Sequence, residues 1–370
     1  MEHVVVIGGG ITGASAAFHA AEAGAEVTLI DESHPGQATA AGAGIISPWL
    51  SQRRNKAWYA LARGGAAYYP ELIQALEEYG ETDTGYYRSG AIHLHDIEER
   101  LQHKYSHALK RRETAPEMGA VELLSENETN SLFPQLRPGY RSVWVEGGGR
   151  VDGRKVRNAL IRAAAKKGVT VIYGRAELVH QGNDVSVKVD GSTLHPDKII
   201  AAAGAWSSGL LAPLGVKSAI KPQKGQILHL KIKEENHSWP VVMPHNEYYL
   251  LHFGKGHVVF GATREDNSGY DTRRTAEGHR EILSAALELA PGLKDAEVVE
   301  TRVGLRPSAP NFMPVFGSLP DYPQIFMADG LGASGLTSGP FVGRQTAHLA
   351  LGQKTELETE QYDVSQVLED

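Results

Sequence analysis

The first stretch of the chain, from Met1 to Asp31, constrains the fold more than any other. Val4 to Ile7 is a continuous apolar, β-branched run, which suits a strand buried on both faces. Gly8, Gly10 and Gly13 follow in the spacing G-x-G-x-x-G, and Ala14 to Ala23 is alanine-rich with strong helix propensity. Gly24 ends that helix, and Val27 to Ile30 makes a second strand closing on Asp31. Strand, glycine turn, helix and strand in this order build a dinucleotide-binding unit. The first glycine permits the tight turn. The second lets the backbone approach a pyrophosphate, and the third lets helix and strand pack closely. The helix N-terminus offers unpaired N–H groups and a positive dipole end to the phosphates. Asp31 can accept hydrogen bonds from a ribose diol. The pattern alone fits NAD and FAD equally.

Composition narrows the class of protein. A chain of 370 residues is long enough for two domains or one elaborate one. Its net charge of −7 gives no electrostatic basis for binding nucleic acid. No apolar run approaches the ~18 residues that a membrane span requires. The absence of cysteine excludes disulfides, thiolate metal sites and a cysteine nucleophile. The first strand begins too early to leave room for a signal peptide. A cytoplasmic location is expected, with peripheral attachment to the inner membrane face compatible with it. Walker A, G-x-S-x-G and H-E-x-x-H motifs are absent.

Small residues from Gly36 to Gly44 describe a loop whose backbone passes close to something flat or bulky. Gln52 to Tyr79 reads as one long helix, interrupted at Gly64-Gly65 and near Pro70. The α/β rhythm is then lost until residue 147. Tyr86 to His95 alternates like a strand, with His93 and His95 on one face. No third ligand accompanies them, so they read as ordinary strand residues. Ile97 to Arg112 is a charged helix, and Ser125 to Glu128 resembles a capping box. The rhythm returns with Asp152 capping a helix from Gly153 to Lys167. A strand from Lys198 to Ala202 enters a small-residue turn around Gly204, a second close approach of backbone to a ligand.

Residues 221 to 265 are strand-rich, with a hairpin turn flanked by Gly254 and Gly256. Ala276 to Leu289 is an amphipathic helix, and Glu297 to Arg306 is a strand ending at Pro307. Arg302 and Arg306 share one face of that strand. Arginine is the natural bidentate partner of a carboxylate. Of Tyr248 and Tyr249, one belongs to the core and the other can donate a phenol hydrogen bond. Pro323 to Ala328 is a late sheet strand. It runs through Gly330, Gly332 and Gly335 into a helix from Leu336 to Leu351. This second helix N-terminus suits the pyrimidine end of a flavin, whose reduced form carries negative charge near N1–C2=O.

Several segments together resemble the D-amino acid oxidase / glycine oxidase family of FAD-dependent amine and amino-acid oxidoreductases. They are close to glycine oxidase and to the small subunit of D-amino acid dehydrogenase. The segments are VVVIGGGITG at the N-terminus, AGAG at 41 to 44 and VDGRKVRNALIRAAAKKGV at 151 to 169. They continue with AAGAWSS at 202 to 208, PQKGQIL at 222 to 228 and GATRE at 261 to 265. GLRPSAPNFMPVFG at 304 to 317 and DGLGASGLTSGP at 329 to 340 close the set.

The resemblance implies an α/β fold with an α+β second domain. A Rossmann-like FAD-binding domain would comprise 1–80, 148–220 and 321–370. An antiparallel-sheet substrate domain would comprise 81–147 and 221–320. FAD rather than NAD is implied, held noncovalently. Gly8, Gly10, Gly13 and Asp31 would hold the ADP half, with Ala176 at the adenine and Gly204 at the second backbone approach. Gly44, Ile45 and Ile46 would lie along the isoalloxazine, and Gly332, Gly335, Leu336 and Thr337 at its pyrimidine edge. Arg306 matches the arginine that clamps the substrate carboxylate, and Tyr249 matches an active-site tyrosine.

The implied reaction is oxidative deamination of a glycine- or D-amino acid-type substrate. Hydride passes from the α-carbon to flavin N5, and the imino acid is hydrolysed to a keto acid and ammonia. Secondary amines such as sarcosine or proline, 2-hydroxy acids, and a flavin-binding module without turnover are the alternatives. The electron acceptor is oxygen or a quinone, and a homo-oligomer is compatible with the sequence. Ala333 departs from the pattern, because glycine oxidase-like members carry a second active-site arginine there. Arg302 either compensates for it or is a surface residue. Thr39 stands where a histidine-linked flavin relative has its histidine.

Overall fold

The computed structural model describes residues 1–181, 184–234 and 239–369. Its first strand, His3–Ile7, carries four consecutive buried residues and lies inside a six-stranded sheet. The sheet order is Val315–Leu319, Tyr322–Asp329, Lys198–Ala201, His3–Ile7, Glu26–Asp31, Thr170–Tyr173. All neighbours are parallel except Val315–Leu319, which returns antiparallel on Tyr322–Asp329. A sheet with helices or further strands on both faces buries both sides of each strand, which explains the unbroken apolar run at Val4 to Ile7. The nucleotide helix Ile11–Glu22 packs on the closing helix Gly335–Ala350 with almost no side chain between them. A Cβ at Gly343 would come 2.3 Å from Thr12 O.

The second sheet has eight strands, in the order Glu297–Ser308, Lys221–Lys231, His257–Gly261, Tyr249–His252, Val241–Met243, Ala91–His95, Arg141–Val145, Val121–Leu124. It is antiparallel at every ladder but one, since Val241–Met243 runs parallel to Ala91–His95. Helix Ala276–Leu289 covers one face through Ile282, Ala286 and Leu289, which pack on Leu228, Leu230 and Phe260. The other face presents Ile227, Leu251 and Val259, with Tyr249 and Ile45 packed against them. That face looks toward the first sheet. We propose the two sheets as the cores of the two discontinuous units, 1–80, 148–220 and 321–370 against 81–147 and 221–320. Strand Val315–Leu319 hydrogen-bonds across that boundary into the first sheet.

Three elements differ from their sequence reading. The long helix spans Lys56–Glu78 and passes unbroken through Gly64, Gly65 and Pro70. Asn55 sets its start, its side chain accepting from Trp58 N–H at 3.0 Å. The glycines serve packing: a Cβ at Gly65 would meet Thr337 O at 2.3 Å, and one at Gly64 would meet Phe341. The strand expected from Tyr86 covers only Ala91–His95. Gly90 turns the chain there with φ +75°, and the Trp144 ring fills the space a side chain would need. All five strand residues are buried, so His93 and His95 lie in the core. Strand Glu297–Ser308 continues through Pro307 because it is the sheet edge, where a missing N–H breaks no ladder.

Among the described residues no helix is long and apolar enough to cross a membrane. Gly13 is one of the tightest packing points in the nucleotide unit. A Cβ there would lie 1.8 Å from Gly8 O and 3.2 Å from the Ala202 side chain. Gly13→Ala is therefore expected to lower stability by about 2 kcal/mol or more. The denaturation midpoint, with retained yellow colour read in parallel, checks this.

Candidate active site

An elongated cavity of about 710 Å³ runs between the two sheets. Its volume lies within the range typical of cofactor and ligand sites. At one end it is lined by Asp31, Glu32, Ala176 and Glu177, and at the other by Tyr249, Arg306, Pro307 and Ala333. Two helices point their N-termini at it. Neither Gly10, before the nucleotide helix, nor Ser334, before the closing helix, contributes a side-chain cap. Helix ends left open in this way are ready acceptors of an anionic or carbonyl group. The strand turn after Lys198–Ala201 supplies Ala203 and Gly204 to the wall, with Gly204 at φ +58°. His34 stacks on Trp206 at 4.5 Å between centroids beside that turn.

The Arg306 end is built by the second sheet. Arg306 lies opposite Gln223 across the Glu297–Ser308 and Lys221–Lys231 ladder. Its guanidinium crosses the neighbouring Gly225, where a Cβ would come within 2.6 Å of Nη2. Nη1 donates to Gln223 Oε1 and Nη2 to Thr263 O, each at 3.4 Å. Gln223 is fixed in turn by donating to Asp266 Oδ1 at 2.7 Å. Tyr249, on the adjoining hairpin, shares this end of the cavity with Arg306. Burial pushes the Tyr249 phenol up while the Arg306 charge pulls it down, with a net rise. The phenol thus stays protonated and keeps a proton to donate. Tyr248 points the other way, packing on Phe260 and donating to Glu281 at 3.1 Å.

Of the residues singled out in the sequence, Gly8, Gly10, Asp31, Gly44, Ile45, Ala176, Gly204, Tyr249, Arg306, Gly332, Gly335 and Leu336 all line this cavity. Gly13, Ile46 and Thr337 stand one layer back. Gly13 packs helix on strand, as the third glycine should. Ile46 follows Ile45 in a two-residue strand, so it faces away into the core with only 2% of its surface exposed. Thr337 donates its hydroxyl to Ile45 O at 2.9 Å and so holds the lining strand from behind. Arg302 shares the face of Arg306 but does not reach the cavity. It pairs with Glu300 at 2.8 Å and points to the carbonyl of Ala40. It is therefore neither a surface residue nor a substitute for a side chain at Ala333.

Residues that the sequence reading passed over include Arg157, which ties the nucleotide loop together. It donates to Gly9 O at 2.6 Å and to Asp31 Oδ2 at 2.6 Å. Asp31 also accepts from Gln37 at 3.2 Å, so its carboxylate is held rigidly at the cavity wall. Gln223 and Thr263 lie within the segments PQKGQIL and GATRE. Those segments drew attention as a pattern but revealed nothing of a contact with Arg306.

Residues 3–349 match the family model described as FAD dependent oxidoreductase. The chain is 50% identical over 366 residues to an uncharacterized oxidoreductase, YurR, of Bacillus subtilis, covering 98% of each. It is 30% identical over 361 residues to a glycine oxidase of Pseudomonas aeruginosa, covering 95% of this chain and 96% of that one. The crystal structure of an iminodiacetate oxidase from Chelativorans sp. BNC1 is similar at 43% identity. It has a TM-score of 0.95 and covers 98% of both chains. The chain belongs to the FAD-dependent oxidoreductase family.

Members of this family use FAD, and the cavity fits it. The length of the cavity, two uncapped helix N-termini and glycine-lined walls meet the needs of a long, anionic dinucleotide with a flat ring. The wall also carries one unusual acid. Asp329 is 1% exposed, and burial raises its carboxyl from 3.8 to about 7. The Ser207 hydroxyl and the Gly330 N–H donate to it and oppose that rise. A carboxyl raised in the folded state stabilises the fold while protonated. That contribution is complete below the unfolded value and is lost as pH climbs through about 7. Asp329→Asn keeps an acceptor for both donors without the charge. Its melting temperature should therefore fall less than the wild type's between about pH 5 and 8. Thermal melts across that range check this.

Proposed function

We propose that the protein oxidises the C–N bond beside the carboxylate of a small amino acid, with that carboxylate held by Arg306 and Tyr249. The observation that carries this reading is Arg306 itself. It is an arginine at the cavity wall, oriented by Gln223 and Thr263, with no carboxylate partner among the described residues. Its planar fork is matched to a carboxylate in bidentate fashion. FAD would lie with its ADP half along Gly8, Gly10, Asp31 and Ala176. Its ring would lie between the Gly44–Ile45 segment and the loop from Gly332 to Leu336. When bound, FAD supplies the acceptor for the hydride that leaves the carbon next to nitrogen.

The chain's own contribution is orientation and charge. Arg306 fixes one end of the substrate, the protonated Tyr249 donates to the same group, and the apolar Ile227 lines the adjoining wall. Holding a reacting C–H in one place replaces a costly encounter with a near-attack arrangement. Glycine and D-amino acids would yield an imino acid, then a keto acid and ammonia after hydrolysis. A second reading, a secondary amine such as an N-substituted glycine, is favoured by two observations. Ala333 is small where glycine oxidase-like members have arginine, and a relative 43% identical is named iminodiacetate oxidase. Hydrolysis would then release glyoxylate and a primary amine.

Arg306→Leu should raise KM for every good substrate by about a hundredfold or more while the protein stays yellow. Tyr249→Phe removes one neutral donor and should cost about tenfold in kcat/KM. Steady-state kinetics on an amino-acid and N-substituted glycine panel measure both. An unchanged KM in the Arg306 variant would contradict the assignment.

A further inference from the structure

We infer that a second, smaller cavity beside the FAD site binds a small oxyanion with two or more negative charges, and that this anion clamps segment 34–41 against the cofactor. The cavity has a volume of about 280 Å³. Segment 34–41 is the partition between it and the larger cavity. His34, Gln37 and Ala41 line both, Ala38 and Thr39 line the larger one, and Gly36 and Ala40 line the smaller one. Leu305 N–H donates to Gly36 O at 2.8 Å, which ties the partition to the strand Glu297–Ser308. That strand supplies Glu300 and Arg302, two residues apart and so on one face. Arg154 comes from the first turn of the helix Gly153–Lys166, and Thr272 and Arg274 come from the loop before helix Ala276–Leu289.

The walls carry more positive charge than they neutralise. Glu300 is the one carboxylate among the described lining residues, against Arg154, Arg274 and Arg302. Both of its oxygens are taken, Oε1 by Arg154 Nη2 at 3.1 Å and Oε2 by Arg302 Nε at 2.8 Å. The same two guanidinium groups donate to Ala40 O, Arg154 from Nε at 3.1 Å and Arg302 from Nη1 at 3.5 Å. Arg154 Nη1 and Arg302 Nη2 have no protein acceptor among the described residues. Arg274 pairs with no carboxylate there, and Asp271 in its own loop is already held by Arg273 and Lys224. Burial would raise the Glu300 carboxyl, yet the hydrogen bond and charge of Arg302 and the Arg154 charge bring it below its ordinary value. The same field reaches His229, opposite Glu300 in the ladder, which burial and then Arg302 lower to about 3.

A guanidinium fork fits the paired oxygens of a phosphate or a carboxylate. Three lining cations against one carboxylate call for more than one negative charge on the ligand. The volume lies below the range of cofactor-sized sites, so the ligand is small. Seated there, it would bridge Arg274 to Arg154 and Arg302 and so join loop, helix and strand across segment 34–41. The far side of that segment lines the FAD cavity. Anion binding and FAD retention are therefore coupled, and each favours the other. Arg306 lines the larger cavity only and takes no part in this site.

The test titrates the FAD-loaded protein with inorganic phosphate, against chloride at matched ionic strength. Calorimetry reads binding, and the rise of free-flavin fluorescence after dilution reads FAD release. Saturable binding to one site, with FAD release about fivefold slower, is expected. Arg274→Gln, at an exposed residue, should weaken phosphate about tenfold. Glu300→Gln removes the internal anion and should tighten phosphate about threefold or more, a gain that a merely structural Glu300 would not give. Arg306→Leu should bind phosphate as the wild type does, which separates this site from the proposed substrate anchor. Malonate titrated into Arg306→Leu compares a dicarboxylate with phosphate, and the tighter of the two names the headgroup that the site takes. No saturable binding of either anion, or phosphate binding that is lost in Arg306→Leu or unchanged in both Arg274→Gln and Glu300→Gln, would overturn the site. Arg274-dependent binding with FAD release unchanged would overturn the clamp.

Discussion

The guanidinium of Arg306, laid across Gly225, is the contact on which the proposed chemistry rests. A side chain at position 225 would force it off that path. The amide of Gln223 and the carbonyl of Thr263 then hold its two nitrogens, and Asp266 holds Gln223. Two paired strands and the segment that follows a third therefore cooperate to aim one cation at one end of a long cavity. A buried or half-buried arginine that spends its donors on neutral acceptors keeps its full charge for a ligand. Gln223 is itself a strand residue, and the segment carrying Thr263 is pinned to that strand by Thr263 N–H donating to Gln226 O, so the anchor is set before any ligand arrives.

That anchor is useful only if the second sheet sits in a constant position against the nucleotide unit, and the segment 36–46 secures this. Leu305 N–H donates to Gly36 O at 2.8 Å, which ties the segment to the residue before Arg306. Val151 N–H donates to Gly44 O at 2.8 Å, and the Thr337 hydroxyl donates to Ile45 O. The stretch of small residues thus bridges the nucleotide loop, the closing helix and the strand of Arg306. Gly44 tolerates no side chain here, since a Cβ would meet Val151 O at 1.8 Å. The same packing leaves the cavity wall as bare backbone where a flat ring system needs to lie.

The nucleotide unit was legible in the sequence because its constraints are local. The glycine spacing, the alanine-rich helix and the strand ending at Asp31 each follow from contacts between residues near in sequence. The capping box at Ser125 and Glu128 and the Asp152 cap were readable for the same reason. Glycines misled where tertiary packing required them: Gly64 and Gly65 read as a break but are the crossing point with the closing helix. The supports of Arg306 were not legible, because Gln223 and Thr263 reach it only through strand pairing between distant segments. The family resemblance implied Ile46 and Thr337 as site residues, but alternation and helical phase turn each of them away from the cavity. Arg302 shows the limit of a shared strand face, since Glu300 and the Ala40 carbonyl claim it before it can reach the cavity.

In the proposed function, the carboxylate held by Arg306 is the feature by which a substrate is recognised. Anaerobic mixing of the FAD-loaded protein with an amino acid and with its carboxamide, followed by flavin absorbance, tests this most directly. Rapid loss of the oxidised flavin band with the acid, and loss at least about a hundredfold slower with the amide, is the predicted result. Equal rates for the two compounds would contradict the account, whatever the amine proves to be.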